Sequence, residues 1–140
     1  MKILLALDSS DKAIDEAVKV AREKNAKLTG IFVLDSTWNE YIGHDWLSGS
    51  NARAGFLDYI KTEEDLEAGR ATERFVTLAA DVPHEFKARA GRVPDVIIEE
   101  LAAGYDMLIM GYPFRRGLEV VRDPLPKILK GSGCSVLLVR

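Results

Sequence analysis

The chain has 140 residues, one domain's length, and a domain of this size buries roughly two-thirds of its unfolded surface without needing a disulfide scaffold. An apolar fraction of 47% beside 29% charged residues excludes a disordered or low-complexity chain. A net charge of −3 excludes the bulk positive field that gathers nucleic acid nonspecifically.

Ile3 to Leu7 is a continuous apolar run, as expected of a strand buried on both faces of a parallel sheet. It stops at Asp8, too soon for a signal peptide or a membrane span. Cys134 is the only cysteine, so no intramolecular bridge forms, and a reducing, cytoplasmic setting without membrane contact is expected. Asp8-Ser9-Ser10-Asp11 breaks the strand, and Ser10 is expected to cap the next helix through its side chain. Ala13, Ile14, Ala17, Val18 and Ala21 then form one apolar stripe, with Lys12, Asp15, Glu16, Lys19 and Arg22 off it. A second strand runs from about Leu28 to Leu34. The stretch Asp35 to Phe56 carries Trp38, Trp46, Tyr41 and His44, and so long a connection is either a ligand- or partner-facing loop or a lid packed on its own domain.

Phe56 to about Ala80 predicts one long helix with Ile60, Ala71, Phe75, Leu78 and Ala79 inward. Glu85 to Arg89 follows as a third strand. Pro94 fits the first position of another helix and Gly104 the residue just past it, with Val96, Ile97, Leu101 and Ala102 as its buried stripe. Met107 to Met110 is the fourth strand, bracketed by Asp106 and Gly111. A short helix from Pro124 to Lys130 and a flexible Gly131-Ser132-Gly133 lead to the last strand, Val136 to Val139. This alternation predicts a single α/β domain over residues 1–140, a doubly wound five-stranded parallel sheet with helices on both faces.

In such sheets ligands sit beyond the carboxyl ends of the strands, where the winding reverses. That crevice is expected to be lined by Asp8, Ser9 and Ser10, by Val33 to Asp35, and by the loop after Gly111. The Asp8-Ser9-Ser10 turn suits a purine edge, a ribose or an anion at a helix start, and equally suits plain capping. Met110-Gly111-Tyr112-Pro113-Phe114-Arg115-Arg116-Gly117 is a strand end running into a basic turn. Arg115 and Arg116 offer planar forks that match phosphate, the other reading being a solvated basic loop. Charge favours phosphate, since six basic residues face two acidic ones from Phe114 onward. His44-Asp45 has only His84 as a further histidine, so no metal is expected. Cys134 precedes a buried strand and reads as an inert thiol. No nucleophile elbow, Walker loop or paired-carboxylate motif occurs, so no enzyme is expected.

Gly91-Arg92-Val93-Pro94 with Val96-Ile97-Ile98, then Tyr105-Asp106-Met107-Leu108-Ile109-Met110-Gly111, resembles the Gly-x-Pro helix opening and the Ala-Asp-Leu-Ile-Val-Met-Gly strand of the universal stress protein family. Leu4 to Ser10 is similar to that family's first strand and Asp-Gly-Ser turn, with Ser9 where Gly is usual. Cys134-Ser135-Val136-Leu137-Leu138-Val139-Arg140 is similar to its Cys-Pro-Val-Leu-Val-Val-Arg ending. Only Asp35 to Ala54 lies outside the likeness. The resemblance implies strand order 3-2-1-4-5, a homodimer joined through Val136 to Val139, and an adenine nucleotide, AMP or ATP, as ligand. It places Ala6, Leu7 and Asp8 at the adenosine contacts of the first turn and Val33 at that of the second strand.

ATP-binding members carry Gly-x-x-Gly, a spacer, and then Gly-Ser or Gly-Thr opening a helix that holds the phosphates. Gly111 matches the first glycine, but the second falls on Phe114 and the Gly-Ser pair on Arg122-Asp123, followed by Pro124. A large side chain, a competing carboxylate and a missing donor are expected to remove the triphosphate cradle. Two readings stay open: a stress-type interaction module with an unidentified protein partner, and a nucleotide binder using Arg115, Arg116 and Arg122 in place of the glycine loop.

Overall fold

The computed structural model describes residues 1–35, 65–114 and 123–140. The first apolar run forms β1 (Lys2–Ala6), the middle strand of a five-stranded parallel sheet. Strands β2 (Lys27–Asp35) and β3 (His84–Gly91) lie on one side of it, β4 (Met107–Gly111) and β5 (Ser135–Val139) on the other. The order is β3-β2-β1-β4-β5, as the resemblance implied. Because β1 has a neighbour on each side and helices above and below, all its inward positions are apolar. Ile3 and Leu5 face one core, Leu4 and Ala6 the other.

The first core is closed by α1 (Asp11–Lys24) and by α2, helical over residues 65–78. The five expected stripe residues of α1 are all buried. Asn25 ends this helix at φ 51°, its amide donating to Ala21 and Arg22 carbonyls, a left-handed cap that asparagine tolerates. Helix α2 docks through Phe75, whose ring fills the space over Gly30, where a Cβ would stand 2.9 Å from it. Ala71, Phe75 and Ala79 are buried and Leu78 half-buried, as expected, while Ile60 lies outside the described residues. Among the described residues no helix is long and apolar enough to cross a membrane.

The second core is closed by α3 (Val93–Leu101) and α4 (Leu125–Gly131). Three expectations need correction here. Ala102 is exposed, because α3 ends at Leu101 and Ala102 is already its C-cap; Pro94 is one residue inside the start. Gly131 belongs to α4, with a Cβ position 2.6 Å from Ile98 Cδ1, so a side chain there would have to displace Ile98.

Into this second core the chain buries Glu100, 5% exposed. Its Oε2 accepts from Tyr105 Oη at 2.8 Å and from Lys87 Nζ at 3.0 Å, and Arg89 Nη1 lies 3.5 Å from Oε1. Buried Thr29 hydrogen-bonds the same phenol. Burial pushes the carboxyl up, but the Tyr105 and Lys87 hydrogen bonds and the Lys87 and Arg89 charges outweigh it and hold it below its ordinary value. The network ties edge strand β3 to α3.

A folded-state value below the unfolded one means that Glu100 stabilises above the ordinary carboxylate value of 4.5 and loses that contribution as pH falls through the folded value. Glu100→Gln is expected to cost about 2–3 kcal/mol at pH 7, limited by the partial exposure of Lys87. Urea midpoints of the two proteins should converge as pH drops below 4.5.

Candidate functional site

The winding reverses between β1 and β4, whose carboxyl ends lie side by side with Ala6 opposite Met110 in register. Just beyond stand Asp8 and Gly111. A Cβ on Gly111 would lie 2.9 Å from Asp8 Oδ2, so the missing side chain is what leaves room for the carboxylate. Asp8 is 2% exposed, and its Oδ1 accepts the Ser10 amide at 2.9 Å, a turn closed two residues on.

Ser10 occupies the N-cap of α1 in extended geometry, φ −95° and ψ 117°, yet its side chain makes no capping bond. That corrects the capping expectation: Asp8, held beneath Gly111, organises the start of the helix instead. Arg74 of α2 reaches the same turn. Its Nη2 donates to the Asp8 carbonyl at 2.8 Å, and its buried Nε pairs with Asp11 Oδ1 at 2.8 Å with the N–H aimed off that oxygen.

A cleft of about 610 Å³ opens here, lined by Ser9, Ser10, Gly111, Tyr112, Pro113, Val139 and Arg140. The Tyr112 amide donates to the Val139 carbonyl at 2.8 Å, fastening the loop after β4 to the end of β5. Hydroxyls, an aromatic ring and a guanidinium beside the amino end of a 14-residue helix suit a small anionic ligand bearing a ring.

Of the expected site residues, Asp8, Ser9, Ser10 and Gly111 come together. Leu7 is buried in the first core; Ala6, Val33 and Met110 are buried in the second, and Val33 pairs with Arg89 on the far side of β1 from β4. Arg115, Arg116 and Arg122, and the loop bearing Trp38, Tyr41, His44 and Trp46, lie outside the described residues. Tyr112 and Pro113 come from the expected loop after Gly111, while Val139 and Arg140 join them because β5 pairs with β4, Gly111 opposite Val139. Arg74 had no signal: it sits one position before an inward phenylalanine and resembles any helix-surface arginine.

Phe114 is half-buried and packs on the second core with Tyr112 and Val136. Asp123 Oδ1 accepts the Leu125 amide at 3.0 Å at the start of α4. At the opposite end of the sheet, Tyr105, Asp106, Ser132, Gly133, Cys134 and Ser135 line an open groove. There burial pushes the Cys134 thiol up, outweighing a hydrogen bond from the Leu108 backbone, with the Asp106 charge adding to the rise. A thiol raised in this way is protonated and unreactive at neutral pH. No cluster of three metal-ligating side chains occurs among the described residues.

A family model described as the universal stress protein family matches residues 1–140. A Staphylococcus haemolyticus protein described as a universal stress protein is 28% identical over 144 residues, spanning 99% of this chain and 83% of that protein. Among solved structures, the universal stress protein UspA from Lactobacillus plantarum aligns with a TM-score of 0.75 at 21% identity, over 100% of this chain and 97% of its own. The universal stress protein from Archaeoglobus fulgidus in complex with dAMP gives 0.65 at 15% identity, over 100% and 98%.

Gly111→Ala would drive a methyl into the Asp8 carboxylate inside the sheet. The expected outcome is a loss of about 1–3 kcal/mol in urea unfolding, together with a shift of the Ser10 amide proton resonance as its acceptor moves.

Proposed function

The chain belongs to the universal stress protein family, and we propose that it is a dimeric stress-response module that takes a small adenine nucleotide in the β1/β4 cleft without the triphosphate cradle of ATP-binding members. The reading treats it as a binding module rather than an enzyme. The observation that carries it is the start of α4, where the resemblance places the phosphate-holding helix. There Asp123 already takes the Leu125 amide, while Pro124 and Pro126 have no amide to offer. A triphosphate arriving at this point meets a carboxylate and few donors. Phe114, packed into the core where the second cradle glycine belongs, adds a side chain where backbone approach is needed.

A ligand with one phosphate needs fewer donors, and Arg140 with the Ser9 and Ser10 hydroxyls lines the cleft for it. The dAMP complex of the Archaeoglobus fulgidus protein supports a monophosphate in this fold. The dimer rests on β5, which among the described residues is an edge strand paired only to β4, with no residue fully buried and Leu138 38% exposed.

Calorimetric titration with AMP, ADP and ATP is expected to give saturable AMP binding, with ATP weaker by about tenfold or more from the Asp123 charge. Micromolar ATP affinity would instead support the basic-loop reading with Arg115, Arg116 and Arg122. Absence of any binding would leave the protein-interaction reading. Light scattering at micromolar concentration is expected to give twice the chain mass, falling to one chain in Leu138→Glu. A wild-type monomer would refute the β5 dimer.

A further inference from the structure

The residues between a strand and the helix that follows it belong to neither hydrogen-bond ladder, so their backbone groups need other partners. In the β1–α1 turn that partner comes from 66 residues away: Arg74 Nη2 donates to the Asp8 carbonyl at 2.8 Å. The same guanidinium pairs through Nε with Asp11, the first residue of α1. Arg74 therefore grips the turn just before and just after Ser9 and Ser10, the two turn residues that line the cleft. The planar guanidinium thus holds the turn by one hydrogen bond, to the Asp8 carbonyl, and one ion pair, to Asp11. Its helix is anchored rigidly one residue further on, by Phe75 seated over Gly30.

We propose that Arg74 is a positioning residue for the ligand cleft: through Asp8 and Asp11 it holds Ser9, Ser10 and the amino end of α1 in the conformation that receives the ligand. The inference rests on the nucleotide reading of the cleft. Arg74 acts through the turn rather than on the ligand, so its removal changes both the turn and the affinity while the sheet persists.

The test compares wild type with Arg74→Met, which keeps the aliphatic stem, and Arg74→Lys, which keeps the charge but not the planar guanidinium. Phe75→Leu serves as a control that loosens the same helix without touching the turn. AMP is the probe, followed by calorimetry, and hydrogen exchange of the Ser10 amide is followed without ligand. Arg74→Met is expected to weaken AMP about tenfold and to speed Ser10 exchange to a similar extent, the size of one lost charge-assisted hydrogen bond. Arg74→Lys should fall between, and carries the comparison if Arg74→Met does not fold. Phe75→Leu should lower the urea midpoint yet keep AMP affinity. Unchanged AMP affinity in both Arg74 variants overturns the proposal, as does an equal loss in Phe75→Leu. If wild type binds no AMP, the nucleotide reading fails and takes the positioning role with it. If wild type binds AMP but Ser10 exchange is unaltered in the Arg74 variants, only the positioning role fails.

Discussion

A buried carboxylate over a glycine sets the geometry of this molecule's candidate site. Asp8 leaves the sheet at the point where the winding reverses and stays buried there because Gly111, on the adjacent strand, has no side chain to displace it. One oxygen lies against that gap while the other closes the turn by accepting from Ser10. A polar group in such a place is costly unless satisfied. Its satisfaction defines where α1 begins, and so where the amino end of that helix meets the cleft.

The two helical layers bear on this site unequally. The layer of α1 and α2 is apolar throughout its core, and from it Arg74 crosses to the β1–α1 turn. The layer of α3 and α4 contains the Glu100 network, whose charges bind β3 to α3 at the sheet edge remote from the cleft. That network holds the outer strand in place and faces away from the cleft. Edge strand β3 is thus occupied by charged side chains that discourage pairing, whereas β5 presents leucine and valine. The two edges of the sheet thus differ in the charge they carry.

The two helix starts at this end of the sheet are built differently. At α1 the turn is braced from outside by Arg74 and from inside by Asp8, leaving Ser9 and Ser10 along the cleft wall. At α4 Asp123 takes the Leu125 amide, and Pro124 and Pro126 have no amide.

Much of this is written in local pattern. The apolar runs at Ile3–Leu7 and Met107–Met110 read as strands buried on both faces, and the α1 stripe is buried residue for residue. Asp8, Ser9, Ser10 and Gly111 could be brought to one place from strand order alone, since parallel crossovers place their carboxyl ends together. What local pattern cannot express is contact across long separations. Glu100 stands in an acidic pair on a helix and reads as solvent-facing; its burial follows from Tyr105, Lys87 and Arg89 converging on it from other segments. Ser10 looks like a helix cap, and only the contact between Asp8 and Gly111 assigns that task elsewhere. Arg74 is one exposed-pattern arginine among several until the ring of Phe75 lays α2 on the sheet beside the β1–α1 turn. Periodicity records which face of an element is apolar, because burial of that face is a property of the element itself. Which polar group meets which is decided by the packing of elements against one another, and that exists only in the folded chain.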